Sequence, residues 1–111
     1  MENQKTSKFL VILQDPNYDD SFTPERMNEL TISHVDHVRE LDSKGILVLC
    51  GPLKGTENGM LILNAKTLEE AESYVLNDPF IVYRCYKSYT IHEIEEGNAS
   101  NNYLLDVYTM P

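Results

Sequence analysis

The stretch GILVLCGPLKGTENGMLIL, residues 45–63, contains two short apolar runs with turn residues between them. The first run, Ile46 to Cys50, ends at a Gly-Pro pair, and the second, Met60 to Leu63, follows an Asn-Gly pair. Apolar runs of this length, bounded by glycine, proline and asparagine, are typical of strands. The middle of the chain is therefore predicted to contain two consecutive strands.

Towards the N-terminus the sequence predicts a strand followed by a helix. Phe9 to Leu13 is a continuous apolar run, short enough for a strand that is buried on both faces. Thr23 offers an N-cap, Pro24 suits the first helical position, and Gly45 ends the helix. Apolar side chains repeat at helical spacing along one stripe: Met27, Leu30, Val38 and Leu41. This stripe is expected to face the core.

Towards the C-terminus a second helix and a fourth strand follow. Thr67 and Glu70 form a capping box in front of an amphipathic segment, and the helix breaks before Pro79. Tyr86 to Ile94 alternates in part and is predicted to be a strand. The order β-α-β-β-α-β predicts an α+β, ferredoxin-like fold, a four-stranded antiparallel sheet with two helices on one face.

The predicted strands are apolar on both faces, although two helices can cover only one face. An uncovered apolar face of more than about a few hundred Å² normally marks an interaction surface, so we expect a homodimer packed sheet to sheet. We assign residues 1–96 to the domain and residues 97–111 to a C-terminal extension. Within the extension, Tyr103 to Tyr108 resembles a further strand, which could extend its own sheet or reach the dimer interface.

The composition limits the classes of partner. The 111 residues carry 18 acidic and 9 basic side chains, a formal net charge of −9, with 41% apolar and 24% charged residues. These values are typical of one globular domain. Binding to nucleic acid or to an anionic membrane needs clustered lysine and arginine, so neither partner is expected.

Neither a targeting segment nor a metal site is indicated. The longest apolar run, Phe9 to Leu13, is too short for a signal peptide or a membrane span. Cys50 and Cys85 are far apart and have no third thiol near them, which favours reduced cysteines in the cytoplasm. His34 and His37 have ligand-compatible spacing but no third ligand, so no metal and no cofactor are expected.

His34 gives the clearest indication of a site. At helical spacing it lies between Met27 and Val38, within the apolar stripe. A semi-buried imidazole beside a carboxylate is suited to proton transfer at neutral pH. A histidine in such a stripe is more often a hydrogen-bonded core residue, and the pattern alone leaves both interpretations open.

Two aspartates that precede prolines are the candidate partners of His34. Asp78 follows the second helix, where an Asp-Pro pair commonly caps the next turn, and it reaches His34 only if that loop approaches the first helix. Asp15 ends the first strand, where its pair with proline would otherwise form a turn. Helices packed on one side of the sheet bring the exit of that strand near the first helix, so Asp15 could also be a neighbour of His34.

Several short motifs follow one another along the chain: Val11-Ile12-Leu13-Gln14-Asp15, His34, Gly45-Ile46-Leu47, Gly51-Pro52-Leu53, Leu68-Glu69-Glu70-Ala71 and Asp78-Pro79-Phe80. Each motif is short, but their order and spacing together resemble the YCII-related (YciI-like) family. The resemblance covers residues 8–95, which is nearly the whole predicted domain.

The resemblance implies a dimeric α+β barrel made from two ferredoxin-like sheets, with a pocket that contains a catalytic His-Asp dyad. By position His34 matches the family histidine and Asp78 the aspartate of the Asp-Pro pair, while Asp15 matches another acidic position near the pocket. The implied function is cofactor-free acid–base chemistry, of lyase or isomerase type, on a small organic molecule. The alternative is a non-catalytic dimeric module that binds a small ligand or a protein.

Two positions depart from the family pattern. Many members carry arginine where this chain has Thr31, and often glycine where it has Arg84. An anionic substrate would therefore need the positive charge of Arg26, Arg84 or Lys54 instead.

Overall fold

The computed structural model describes residues 5–109. The elements are β1 (Ser7–Pro16), α1 (Pro24–Ser43), β2 (Leu47–Pro52), β3 (Gly59–Ala65), α2 (Leu68–Leu76), α3 (Pro79–Val82), β4 (Tyr86–Ile94), a 3₁₀ segment (Ala99–Leu104) and α4 (Leu105–Tyr108). The predicted order β-α-β-β-α-β is confirmed, with the short helix α3 added between α2 and β4. None of the described helices is both long and apolar enough to cross a membrane.

The four strands form one antiparallel sheet in the order β2-β3-β1-β4. β1 lies inside the sheet and pairs along its length with β3 on one side and β4 on the other. β2 is an edge strand, and its register with β3 shifts between Leu47 and Leu49. The Gly-Pro pair forms the end of β2, as predicted, and Gly51 and Pro52 still pair with Met60 and Gly59.

The helices cover one face of the sheet and enclose the core there. Alternate side chains of β1 and β3 point to this face because successive strand residues alternate sides. The strands contribute the buried residues Phe9, Val11, Leu13, Leu61, Leu63 and Ala65, and the helices contribute Leu30, Leu41, Ala71 and Val75. The predicted stripe of α1 therefore faces the sheet, with Leu30 and Leu41 fully inside.

The helix starts follow the predicted capping residues. The side chain of Thr23 accepts a hydrogen bond from the backbone N–H of Arg26, which satisfies one otherwise unpaired donor. Thr67 does the same for Glu70 at the start of α2. The predicted capping box is only half formed, because the Glu70 carboxylate accepts the N–H of Lys66 rather than that of Thr67.

The other face of the sheet keeps its apolar side chains partly open. Leu10 pairs with Ile62, and Ile12 with Met60, and all four are only partly buried. Leu49 on the edge strand is 55% exposed. This uncovered face, defined by these five residues, is the surface that the sequence predicts for a dimer contact.

The described part of the C-terminal extension forms turns and one short helix where the sequence pattern predicts a strand. The side chain of Asn98 accepts the N–H of Ser100, and the side chain of Asn101 accepts the N–H of Asn98. Such side-chain bonds to nearby backbone compete with pairing in a sheet. The backbone departs from helical geometry between Asn101 and Leu104, where three residues have positive φ, and only Leu105–Tyr108 forms a regular helical turn. The strand prediction for this stretch is therefore wrong.

Candidate active site

His34 and Asp78 are in direct contact on the helix-covered side of the sheet. The ring nitrogen Nδ1 of His34 lies 2.8 Å from Oδ1 and 3.0 Å from Oδ2 of Asp78. Asp78 is 1% exposed, whereas the His34 side chain keeps 17% of its surface accessible. Because an ionised carboxylate only accepts hydrogen bonds, this geometry assigns the proton to Nδ1. Neutral His34 therefore carries its free lone pair on Nε2.

The corner between α2 and α3 fixes the carboxylate. Asp78 is the N-cap of α3, and its Oδ1 accepts the backbone N–H of Phe80 at 2.9 Å. The Phe80 ring stacks on the His34 ring, with centroids 4.0 Å apart and planes at 10°. The capping role expected of an Asp-Pro pair and the contact with His34 are thus both present, through the same side chain.

His37 has a different role from His34, although both lie on α1. Its Nε2 lies 3.0 Å from the backbone carbonyl oxygen of Tyr74, to which it donates a hydrogen bond. This bond ties α1 to α2. His37 therefore serves as a structural link between the two helices.

A cavity of about 340 Å³ borders His34. It is lined by Leu13, Thr31, His34, Val35, Cys50, Gly51, Pro52, Gly59, Met60, Leu61, Phe80 and Tyr86. Most of this wall is apolar, and none of these lining residues is lysine or arginine. Among residues 5–109, Nε2 of His34 has no hydrogen-bond partner. The imidazole lone pair is therefore available to a ligand in the cavity.

Cys50 is a second group of interest in the cavity wall. Its pKa lies above the usual value because neighbouring atoms partly shield the exposed thiol from water and, secondarily, because the carboxylates of Asp42 and Asp78 disfavour the thiolate. At neutral pH Cys50 is therefore a protonated thiol and a poor nucleophile. The chemistry available in this cavity is acid–base chemistry at His34.

Tyr86 also lines the cavity, and the sequence reasoning missed it. Its ring meets Phe80 edge to face, with centroids 5.8 Å apart. Burial is the main cause that raises its pKa, and Cys85, Asp78 and Glu57 add to the effect. The signal that could have identified it is its place at the start of β4, directly after the corner that carries Asp78.

Asp15 lies apart from this arrangement. Its backbone is in the left-handed region, with φ of 58°, and its carboxylate accepts a hydrogen bond from the Ser88 hydroxyl on β4. It is exposed, and it is absent from the described lining of the cavity. The structure therefore brings Asp78 to His34 and leaves Asp15 at the surface, so the expected proximity of Asp15 and His34 is not found.

The basic residues considered for an anionic substrate also lie outside the cavity lining. Arg26 lies over the Tyr83 ring at 5.1 Å and pairs with Glu29. Arg84 has a left-handed backbone with φ of 57° and is exposed, and Lys54 is exposed as well. Thr31, in the place of the family arginine, lines the cavity and donates its hydroxyl hydrogen to the Met27 carbonyl. The described wall thus offers no cation to an anionic ligand.

Comparison with known proteins agrees with this fold. Residues 8–95 match the YCII-related domain. A solved structure of 5-chloro-2-hydroxyhydroquinone dehydrochlorinase from Burkholderia phenoliruptrix AC1100, in complex with 2,5-dihydroxybenzoquinone, is 21% identical, with a TM-score of 0.57 over 81% of this chain and 95% of that one. Muconolactone isomerase is 13% identical, with a TM-score of 0.61 over 82% of this chain and 88% of that one. No curated protein matches the sequence.

Proposed function

This chain belongs to the YCII-related family, and from that premise we propose that it is a small, cofactor-free enzyme. In this proposal His34 and Asp78 perform acid–base chemistry on a small organic molecule held in the cavity. The observation that carries it is the contact of 2.8 Å between Nδ1 of His34 and the buried Asp78 carboxylate. That contact uses Nδ1 and leaves Nε2 unbonded among residues 5–109, and His34 lines a cavity with a mostly apolar wall.

Asp78 and His34 have different roles in this proposal. Asp78 holds the proton on Nδ1 and fixes the orientation of the ring, so that Nε2 acts as the base. When Nε2 accepts a proton, the imidazolium that forms lies against the carboxylate, which stabilises its charge. The proton then returns to another atom of the ligand, as in an isomerase, or the ligand loses a leaving group, as in a lyase.

The two structural neighbours support this class of reaction. One is named as a dehydrochlorinase and the other as an isomerase. Both names describe reactions that depend on moving protons. The identities of 21% and 13% establish a common fold only, so the reaction of this chain rests on its own dyad and cavity.

The acid–base role can be tested with an uncharged, flat probe, 5-nitrobenzisoxazole. Removal of its single acidic C–H proton breaks the N–O bond and releases a coloured phenolate, so a positioned base is measured directly. We expect His34→Gln to slow the reaction about a hundredfold, within the usual contribution of a general base. The matched control is His37→Gln on the same helix, which keeps the base and should keep the rate. Equal rates for His34→Gln and the wild-type protein would contradict the proposal.

A second measurement tests the dyad without any substrate. Proton–nitrogen correlation spectra of ¹⁵N-labelled imidazole groups distinguish the two neutral tautomers of histidine. We expect His34 to be the tautomer protonated at Nδ1, and Asp78→Asn to remove that preference. A neutral His34 protonated at Nε2 in the wild-type protein would show that Asp78 does not orient the base.

We further propose that two copies of the chain associate through the uncovered face. Its apolar residues on β1, β2 and β3 are unusual for a free surface, and burying them would be favourable. The same pairing would make the α+β barrel expected from the family resemblance.

The dimer proposal predicts that Ile62→Glu, at the centre of the uncovered face, yields monomers in analytical ultracentrifugation at low micromolar concentration. A charge buried without a partner is costly, so association should weaken at least about a hundredfold. Ile32→Glu is the matched control, because Ile32 is 64% exposed on α1. A wild-type protein that is monomeric at the same concentration would contradict the proposal, as would an Ile62→Glu variant that stays dimeric.

A further inference from the structure

The cavity wall also contains the hydroxyl of Tyr86, whose ring contacts Phe80, as the His34 ring does. Phe80 stacks flat against His34 at 4.0 Å and meets the Tyr86 ring at 5.8 Å and 64°. Both rings line the same cavity. Phe80 therefore contacts both His34 and Tyr86 and lies between them in the cavity wall.

The Tyr86 hydroxyl is available to a ligand. Among residues 5–109 it has no hydrogen-bond partner, while the hydroxyl of Tyr89 on the same strand donates to Glu72 at 2.9 Å. A Cβ atom built on Gly59 would lie 3.6 Å from the Tyr86 hydroxyl oxygen, so this oxygen lies against the glycine at the start of β3. The absence of a side chain there leaves room around the hydroxyl.

The other groups in the described wall are weaker candidates for a donor. The Thr31 hydroxyl hydrogen is engaged by the Met27 carbonyl at 2.8 Å. The Cys50 thiol is a weak donor. No lysine or arginine is among the described lining residues. Burial raises the pKa of Tyr86, so its hydroxyl keeps its proton at neutral pH.

We propose that Tyr86 is a catalytic residue that donates a hydrogen bond to the oxygen of an uncharged, enolisable carbonyl compound. Nε2 of His34 takes the proton from the carbon next to that carbonyl group. The electron pair of the broken C–H bond forms a C=C bond, and the carbonyl π electrons move to the oxygen, which gains the negative charge. The Tyr86 hydroxyl stabilises this enolate oxygen without transferring its own proton. The imidazolium returns the proton to carbon, so no other reactant is consumed.

The charge of the site defines the substrate class. The cavity lies beside the Asp78 carboxylate, and the described wall supplies no cation to balance an anionic ligand. A neutral donor such as a phenol hydroxyl stabilises an oxygen whose charge develops during the reaction, and it does not require that charge in the ground state. An uncharged carbonyl compound therefore fits better than a carboxylate-bearing one. This inference rests on the proposed base, His34, and adds the oxygen-stabilising group and the substrate class.

The test uses exchange of the α-protons of 2-tetralone, an uncharged cyclic ketone, with D₂O, followed by proton NMR. We expect Tyr86→Phe to lower kcat for exchange about tenfold to a hundredfold, as the loss of one oxyanion donor does elsewhere, with KM changing little. The variant keeps the ring that packs on Phe80, so its thermal unfolding should be unchanged. The factor by which Tyr86→Phe slows the reaction of 5-nitrobenzisoxazole should be at least fivefold smaller, because the product anion of that probe is delocalised and depends less on a hydrogen-bond donor.

Tyr89→Phe is the matched control, because it removes a hydroxyl from the same strand at a position outside the described cavity lining. It should keep the exchange rate of the wild-type protein. The inference is wrong if Tyr86→Phe exchanges 2-tetralone as fast as the wild-type protein, or if Tyr89→Phe loses as much. It is also wrong if the wild-type protein leaves 2-tetralone unexchanged. The rate on 5-nitrobenzisoxazole and the tautomer of His34 test the His34–Asp78 pair separately from this inference.

Discussion

The chain contains two Asp-Pro pairs that look alike in sequence and differ in nearly every physical respect. Asp78 is 1% exposed and is the N-cap of α3. Its carboxylate accepts hydrogen bonds from His34 and from the backbone N–H of Phe80. Asp15 is exposed at the end of β1, and its one side-chain partner in the described chain is the Ser88 hydroxyl. The dipeptide therefore does not determine whether its carboxylate belongs to a site. The elements packed around it do.

Backbone conformation explains part of this difference. Proline restricts the residue before it to extended backbone, and Asp78 complies, with φ of −71° and ψ of 126°. That conformation suits an N-cap and points the carboxylate back over the first turn of α3. Asp15 instead has φ of 58°, a strained conformation that asparagine and aspartate tolerate better than most residues. This turn directs the Asp15 carboxylate towards β4.

Replacing each of the two aspartates with asparagine tests the difference between them most directly. Asp78→Asn should lower the free energy of unfolding by about 1.5–3 kcal/mol, because the hydrogen bonds from His34 and from the Phe80 amide lose their charged acceptor. Asp15→Asn should change it by less than about 0.5 kcal/mol, as surface substitutions usually do. Urea denaturation of both variants at pH 7 measures the two effects. Similar losses for the two variants would mean that burial does not separate the two pairs.

A smaller effect concerns the residue that closes the Asp78 corner. Arg84 has φ of 57°, and its carbonyl oxygen accepts the side-chain N–H of Asn17, which follows the other Asp-Pro pair. The left-handed conformation costs a non-glycine residue about 1–2 kcal/mol, and glycine loses about 0.5–1 kcal/mol through its flexible unfolded state. Arg84→Gly should therefore stabilise the protein by up to about 1 kcal/mol.

The control for this prediction is Lys87→Gly, another replacement of a basic residue by glycine. Lys87 lies within β4, where glycine weakens a strand, so the sign of the effect should reverse. Thermal unfolding of the two variants compares them directly. A destabilised Arg84→Gly variant would show that the arginine side chain itself contributes to the corner, and that backbone strain there is a minor factor.

The sequence predicted those parts of the fold that depend on local signals. The start of α1 at Pro24 and the bounds of β4 follow from capping, proline chemistry and alternation within a few residues. The C-terminal prediction failed for the same reason. The mostly apolar stretch Tyr103 to Tyr108 resembles a strand, but the hydrogen bonds of Asn98 and Asn101 that turn the chain lie upstream of it.

The site was predictable only as a set of candidates. The apolar stripe of α1 identified His34, but 44 residues separate it from Asp78, and no periodicity specifies contact over that distance. The family resemblance supplied the pairing with Asp78, and it offered Asp15 as well, which the structure leaves elsewhere. The place of Tyr86 at the start of β4 makes it a candidate at most, because Phe80 from the α3 corner and Gly59 from β3 come together around it only in the fold.

Oδ1 of Asp78 accepts two hydrogen bonds, from Nδ1 of His34 at 2.8 Å and from the backbone N–H of Phe80 in α3 at 2.9 Å. One carboxylate thus serves the base and the fold, so a replacement of Asp78 affects both at once. Thr31 and Val35 in the cavity wall can be exchanged to admit a new ligand while this atom and its partners stay in place. A lineage could therefore change what the cavity accepts far more easily than it could discard the dyad, because losing the dyad also costs the chain a helix cap.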